Sequence, residues 1–368
     1  MRDLLSVMCF LSLVGFANGA DTATIETPHG AHQPQVAVDA RSNVHLTFGA
    51  DGKVFYACST DHGATFSEPT QVAILESLAL GMRRGPRIAA SGDFIVISAI
   101  GNSEDDGDGN LYSWRSKDQG TSWQERRRVN DVDESAREGL HGMAVGPYGE
   151  LYCTWLDLRH KGTQIVGSRS TDAGATWSKN VLVYQSPDGT VCECCHPSVA
   201  MDAKGGVYVM WRNFLDGNRD MFLATSHDHG ETFEPALKLG EGSWPLNACP
   251  MDGGAIAISA GGKISTVWRR DHEVFLTEDG LFKENRLGVG MQPWAAADQH
   301  GFYAVWLSSR LGRLYLAHSA KDEPVVLADH AQYPVVAAHP AGKGTVVVAW
   351  ETEEKTGPLI KVIRMDLE

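Results

Sequence analysis

Four cysteines and two histidines are the residues whose types and spacing could do chemistry. Cys192, Cys194 and Cys195 fall in VCECCHP (191–197), with His196 directly after them. Cys249 lies in NACPMDGG (247–254), and His141 in the short run Leu140-His141-Gly142. Thiolate and imidazole suit copper or zinc, and a sulfur-rich set favours copper. The same four thiols could instead close disulfides, for which three pairings exist. Cys58 and Cys153 stand apart, in VFYACST and LYCTWLD, and read as small core residues. Arg84, Arg87, Arg212 and Arg269 form a second set, whose guanidinium groups suit a carboxylate or other anion. Trp244 offers a ring on which a sugar could stack. Asp106, Asp108 and Asn110 have the spacing of a calcium loop, but residue 117 is Lys where a bidentate Glu is needed, so a solvated acidic loop is the better reading.

The chain that must position these groups has 368 residues, a formal charge of −14 and 43% apolar residues. That is enough apolar matter for a large core. The acidic balance gives no attraction to nucleic acid or anionic membranes. Seven cysteines are too few for a disulfide scaffold of this length. Residues 1–20 run from Arg2 through an apolar stretch to Ala17-Asn18-Gly19-Ala20, the order of a secretory signal peptide. The stretch is too short to span a membrane. We expect a secreted or periplasmic monomer, with residues 21–368 forming one domain and Cys9 lost with the leader.

Internal repetition sets the architecture. STDHGATF (59–66), SKDQGTSW (116–123), STDAGATW (170–177) and SHDHGETF (226–233) recur about every 55 residues, and TEDGLF (277–282) is a degenerate copy. Asp and Gly at these offsets make a tight turn between strands. Before each turn an alternating strand begins near a Pro, as in PSVAMDAKGGVYVMW (197–211). Counting related segments gives seven units, hence an all-β, seven-bladed β-propeller. The spare segment Ala23–Thr27 is expected to close the ring as the outer strand of the last blade.

The repeated Ser-x-Asp-x-Gly-x-Thr-aromatic turn resembles the Asp box (BNR repeat) of the sialidase-like propeller superfamily. The motif resemblance covers roughly residues 32–290, and the weaker strand pattern covers the rest. The resemblance implies structural Asp-box turns on one face and a functional mouth on the other. It makes a six-bladed sialidase arrangement the alternative. It also implies an exo-sialidase reading, in which Arg84, Arg87, Arg212 and Arg269 hold a carboxylated glycan. Tyr333 would then be the nucleophile, with Glu138 or Asp157 as acid/base. Arg84-Gly85-Pro86-Arg87-Ile88 only echoes the family's Arg-Ile-Pro element and sits one unit late. The leading expectation is therefore a small-molecule or glycan ligand at the channel mouth, beside a Cys/His cluster that is disulfide-braced or holds copper or zinc. A protein-interaction platform is the third reading.

Overall fold

The structure is a computed structural model and describes residues 22–25, 27–28, 30–75, 77–102, 108–278, 282–321, 323–339, 341–342, 345–354 and 357–365. The expected leader, with Cys9, and Asp106 of the acidic loop lie outside the described residues. Among the described residues every regular element is a strand, and none is a helix long and apolar enough to cross a membrane.

The strands form antiparallel four-stranded meanders, the arrangement of a β-propeller. The first comprises His32–Val38, Val44–Ala50, Lys53–Ser59 and Thr70–Ile74. The second is Arg87–Ser91, Phe94–Asn102, Asn110–Ser116 and Arg127–Arg128, with Ser77–Leu78 added against Phe94–Asn102. The third runs from Ala136–Val145 to Val181–Tyr184, the fourth from Ser198–Met201 to Leu237–Lys238, and the fifth from Ala255–Ile258 to Asn285–Val289. The remaining strands make one seven-stranded sheet. In it, Val325–Ala338 serves as the fourth strand after Met291–Ala297, Phe302–Leu307 and Gly312–His318. It continues past a register shift between Gln332 and Val335 as the first strand before Val346–Glu354 and Gly357–Met365. Four strands per unit would call for two separate strands here. Their hydrogen-bonded ladders run on without an intervening loop, so one strand does both tasks.

Thr22–Ile25 pairs with the last strand, Thr22 opposite Ile363 and Ile25 opposite Ile360. Leu46 and Phe48 of the first sheet pack with Val347, Ala349 and Val362 near the other end of the chain. Trp155, Trp211, Trp268, Trp306 and Trp350 sit in second strands and are almost wholly buried. Trp155, Trp211, Trp268 and Trp306 fill space between neighbouring sheets and Trp350 fills it between the two halves of the seven-stranded sheet, which is why a bulky residue recurs at that position.

The four Asp boxes follow third strands and share one hydrogen-bond set. In the first, Ser59 Oγ donates to Asp61 at 2.7 Å and accepts the Gly63 N–H at 2.7 Å. Asp61 also accepts the Thr65 N–H at 2.9 Å and its hydroxyl at 2.6 Å. The residue before each box glycine (His62, Gln119, Ala173, His229) is left-handed, and the turn's side-chain bonds hold it there. These turns occupy one end of the meanders; the strand starts carrying the candidate functional residues occupy the other.

Candidate functional site

At the other end, several first strands begin with a bulge. Gln33, Gly85, Gln292 and Tyr333 each precede a proline and have φ of 60°, 118°, 53° and 47°. A residue before proline normally stays extended, so a left-handed one there is costly. Register shifts mark the bulges at His32/Gln35, Met291/Trp294 and Gln332/Val335. A bulge frees an N–H from the ladder. Buried carboxylates collect two of them: Glu351 accepts Gln33 N–H at 2.5 Å, and Asp252 accepts Gln292 N–H at 2.8 Å. Glu351 also takes His32 Nδ1 at 2.9 Å. Burial pushes the Asp252 carboxyl up, against the pull of Arg269.

Arg83, which the sequence places beside Arg84 and Arg87 ahead of the second unit's first strand, bridges to two other strands. It donates to the carbonyls of Pro334 at 2.8 Å and Gln292 at 2.6 Å, and lies 5.1 Å over Trp294. Arg87 donates to the carbonyls of Arg83, Gly85 and Pro86 and lies over the same ring. Burial lowers Arg83 to about 10 and Arg87 to about 9, the second helped by the first. A cavity of about 160 Å³ lies against Arg87, Trp294, Gly142 and Pro197. Arg83 Nε, Arg87 Nε, Asp252 Oδ1 and Gln292 Oε1 are buried without a protein partner, which suits a solvated channel.

The structure gathers three of the four thiols into one buried group, but not the histidines. The ligand atoms of Cys192, Cys194 and Cys195 all lie within 4.8 Å of one another and all three residues are buried. Cys192 Sγ is 3.3 Å from Cys195 Sγ and 3.8 Å from Cys194 Sγ. Met251 packs against them, while Cys249 is exposed. Hydrogen bonds from Cys194 and Cys195 hold the Cys192 thiol well below its ordinary value, with Arg212 and Arg219 adding to the effect. His196 turns the other way, stacking on Trp294 at 5.5 Å between ring centres. Burial, then Arg87, drives its pKa down. His141 bonds Ser98 Oγ at 2.9 Å, and burial lowers it to about 3. Both imidazoles are therefore neutral core groups. The run also has the Cys-x-x-Cys-His spacing of c-type haem attachment. With His196 buried against Trp294, its ring is not presented to an axial iron.

The other sequence-based candidates are engaged separately. Arg84 pairs with Glu138. Asp157 is wholly buried, bonded to Arg159 at 2.7 Å and Trp155 at 2.8 Å. Tyr333 donates its hydroxyl to Met82 Sδ at 3.6 Å. Arg212 donates to the carbonyls of Asp252, Arg219 and Arg269, and Arg269 pairs with Asp252 at 3.5 Å. Trp244 is largely buried over both guanidinium groups, at 5.1 and 5.4 Å. Its ring is thus already covered on that side.

The sequence model of the BNR repeat-like domain matches residues 40–190 and 95–251. No curated protein matches the chain. A solved protein of unknown function from Dyadobacter fermentans DSM 18053 is 16% identical, with a TM-score of 0.57 over 95% of this chain and 100% of that one. The alpha-L-arabinanase of Penicillium chrysogenum, complexed with arabinobiose, is 13% identical with a TM-score of 0.56, covering 93% and 96%. A Hadza microbial sialidase, Hz136, is 14% identical with a TM-score of 0.51, covering 88% and 76%. At such identities the likeness concerns the fold.

Proposed function

The chain belongs to the BNR repeat-like family of sialidase-like propellers, and on that premise we propose an exported soft-metal protein that holds Cu(I) on the thiolates of Cys192, Cys194 and Cys195. The observation that carries this reading is the buried three-thiol group itself. A disulfide needs sulfurs about 2.05 Å apart. Sulfurs sharing one ion at about 2.3 Å each stand roughly 3.8 Å apart in a tetrahedral site. The separations of 3.3 and 3.8 Å lie nearer the second value. Three thiolates with a neighbouring thioether, Met251, suit Cu(I) better than harder cations. Arg212 and Arg219 offset the negative charge that three thiolates bring.

The frame around this centre is a ring of seven blades. Val325–Ala338 is shared by the sixth and seventh, and Thr22–Ile25 closes the last. Contacts of Leu46 and Phe48 with Val347 and Val362 support first and last blades as neighbours. The mature chain is a monomeric domain of residues 21–368, freed of its leader. A glycosidase reading draws less support. Glu138 and Asp157 are tied to arginines, and Tyr333 to a methionine sulfur.

Anaerobic titration of the reduced mature chain with Cu(I), followed by elemental analysis and thiol counting, tests the proposal. One copper per chain, lost in Cys195→Ser, is the expected result. Zinc alone retained at one per chain would reassign the ion, and a Cys192–Cys195 disulfide with no metal bound would overturn the site.

A further inference from the structure

First strands from six parts of the chain meet around the cavity of about 160 Å³ beside Arg87. They are His32–Val38, Arg87–Ser91, Ala136–Val145, Ser198–Met201, Ala255–Ile258 and Met291–Ala297. Each pairs with a neighbour on one side only, so its other edge keeps N–H and C=O groups outside the ladder. Side chains add donors. Gln35 lines the cavity, is 7% exposed and has no hydrogen-bond partner for its amide among the described residues. Ser198 Oγ accepts the Ile256 N–H at 3.1 Å, which leaves its own proton to be donated. Arg87 lines the cavity too, is 3% exposed, and has a buried Nε without a partner. No Asp or Glu is among the lining residues.

Neither central guanidinium has an acid bonded to it. All hydrogen bonds of Arg83 and Arg87 go to neutral carbonyls. Nearby arginines are paired differently: Arg84 with Glu138, Arg159 with Asp157 and Arg269 with Asp252. Asp252 and Glu351 still act on Arg83 from a distance, whereas the one charge acting on Arg87 is Arg83, which repels it. A buried cation without an acid partner is unfavourable, and a like charge beside it makes matters worse. Water in the cavity would solvate that charge without neutralising it.

We propose that this cavity binds one small monovalent inorganic anion of the halide class, held by Arg87 Nε with Gln35 and Ser198 as further donors. Both terminal nitrogens of Arg87 are already bonded to carbonyls, so it offers a single N–H. That rules out the two-pronged grip by which arginine takes a carboxylate. The three donors stand on three separate strands, which suits a spherical ion approached from several sides. The volume takes one such ion with a few waters. The ion would draw the first strands of different sheets toward a common centre. It is distinct from the thiol centre, since no cysteine lines the cavity.

The test uses the full mature chain, freed of halide by dialysis into sodium gluconate, whose bulk keeps it out of the cavity. Bromide then replaces gluconate at constant ionic strength while melting is followed by circular dichroism. The melting temperature should rise by several degrees along a saturating one-site curve. Crystals grown in bromide should show an anomalous peak in the cavity, within hydrogen-bond reach of Arg87 Nε. Arg87→Met keeps most of the bulk and should melt alike in both salts; Gln35→Leu should weaken the bromide midpoint severalfold. Equal melting of the parent in the two salts would overturn the proposal, as would a rise that never saturates. So would bromide crystals without a peak in the cavity, or a folded Arg87→Met variant with the parent's full response.

Discussion

Asp61 and Asp118 show how much one side chain does in these turns. Hydrogen bonds from Thr65 and Ser122 hold their carboxyls at about 2, and those of Asp228 are lowered in the same way by Thr232. A carboxyl depressed in the folded state binds fewer protons than the unfolded chain does. Its stabilisation is therefore complete above the unfolded value near 4 and fades as pH falls through about 2. The melting temperature should drop between pH 4 and 2. Asp61→Asn should start a few degrees lower at pH 6 and then drop less steeply; parallel curves from circular dichroism melts would refute this. At this scale the sequence was partly readable. The spacing of Cys192, Cys194 and Cys195 announced their proximity. The diversion of His196 and His141 did not show, because a neighbouring residue on an extended chain points the opposite way and a bulge decides which way that is. Arg83 was legible only as one of several arginines on that face, because its left-handed φ of 68° and its carbonyl partners leave no mark in composition.

Strands and turns were the most legible elements, since the repeated Asp-box phrase names its own geometry. What the phrase hides is why its glycine must stay bare. Beyond φ of +86°, a Cβ on Gly230 would stand 2.1 Å from Tyr152 Cε2 in a neighbouring sheet. At Gly63, with φ of +94°, the nearest atom would be Val347 Cγ2 at 3.4 Å. Both sites share the left-handed penalty of about 1 kcal/mol. Only Gly230 adds overpacking, on the order of 1–3 kcal/mol more. Urea unfolding should place Gly63→Ala about 1 kcal/mol below the parent and Gly230→Ala about 3 kcal/mol below. Equal losses would mean that the tyrosine yields freely. The merger of two strands into Val325–Ala338 was not readable, because a missing loop leaves the alternation of apolar residues intact.

For the whole molecule, the short strand Thr22–Ile25 covers the outer edge of Gly357–Met365. Ile25 is 3% exposed and belongs to the core shared by the first and last sheets. Ile25→Ala should cost about 2–4 kcal/mol in urea unfolding. A loosened strand also bares an unpaired edge, so the variant should form oligomers on size-exclusion chromatography that the parent does not. An unchanged midpoint would show that the strand is dispensable. The same pairing has a kinetic consequence. Thr22 and Ile363 lie nearly a chain length apart, and contacts of that separation must await an unfavourable loop closure. On the ribosome, Thr22–Ile25 emerges among the first described residues and stays without its partner until the last strand has been made. The early sheets must therefore persist as an unfinished stack throughout synthesis, and the final sheet can be completed only at the end.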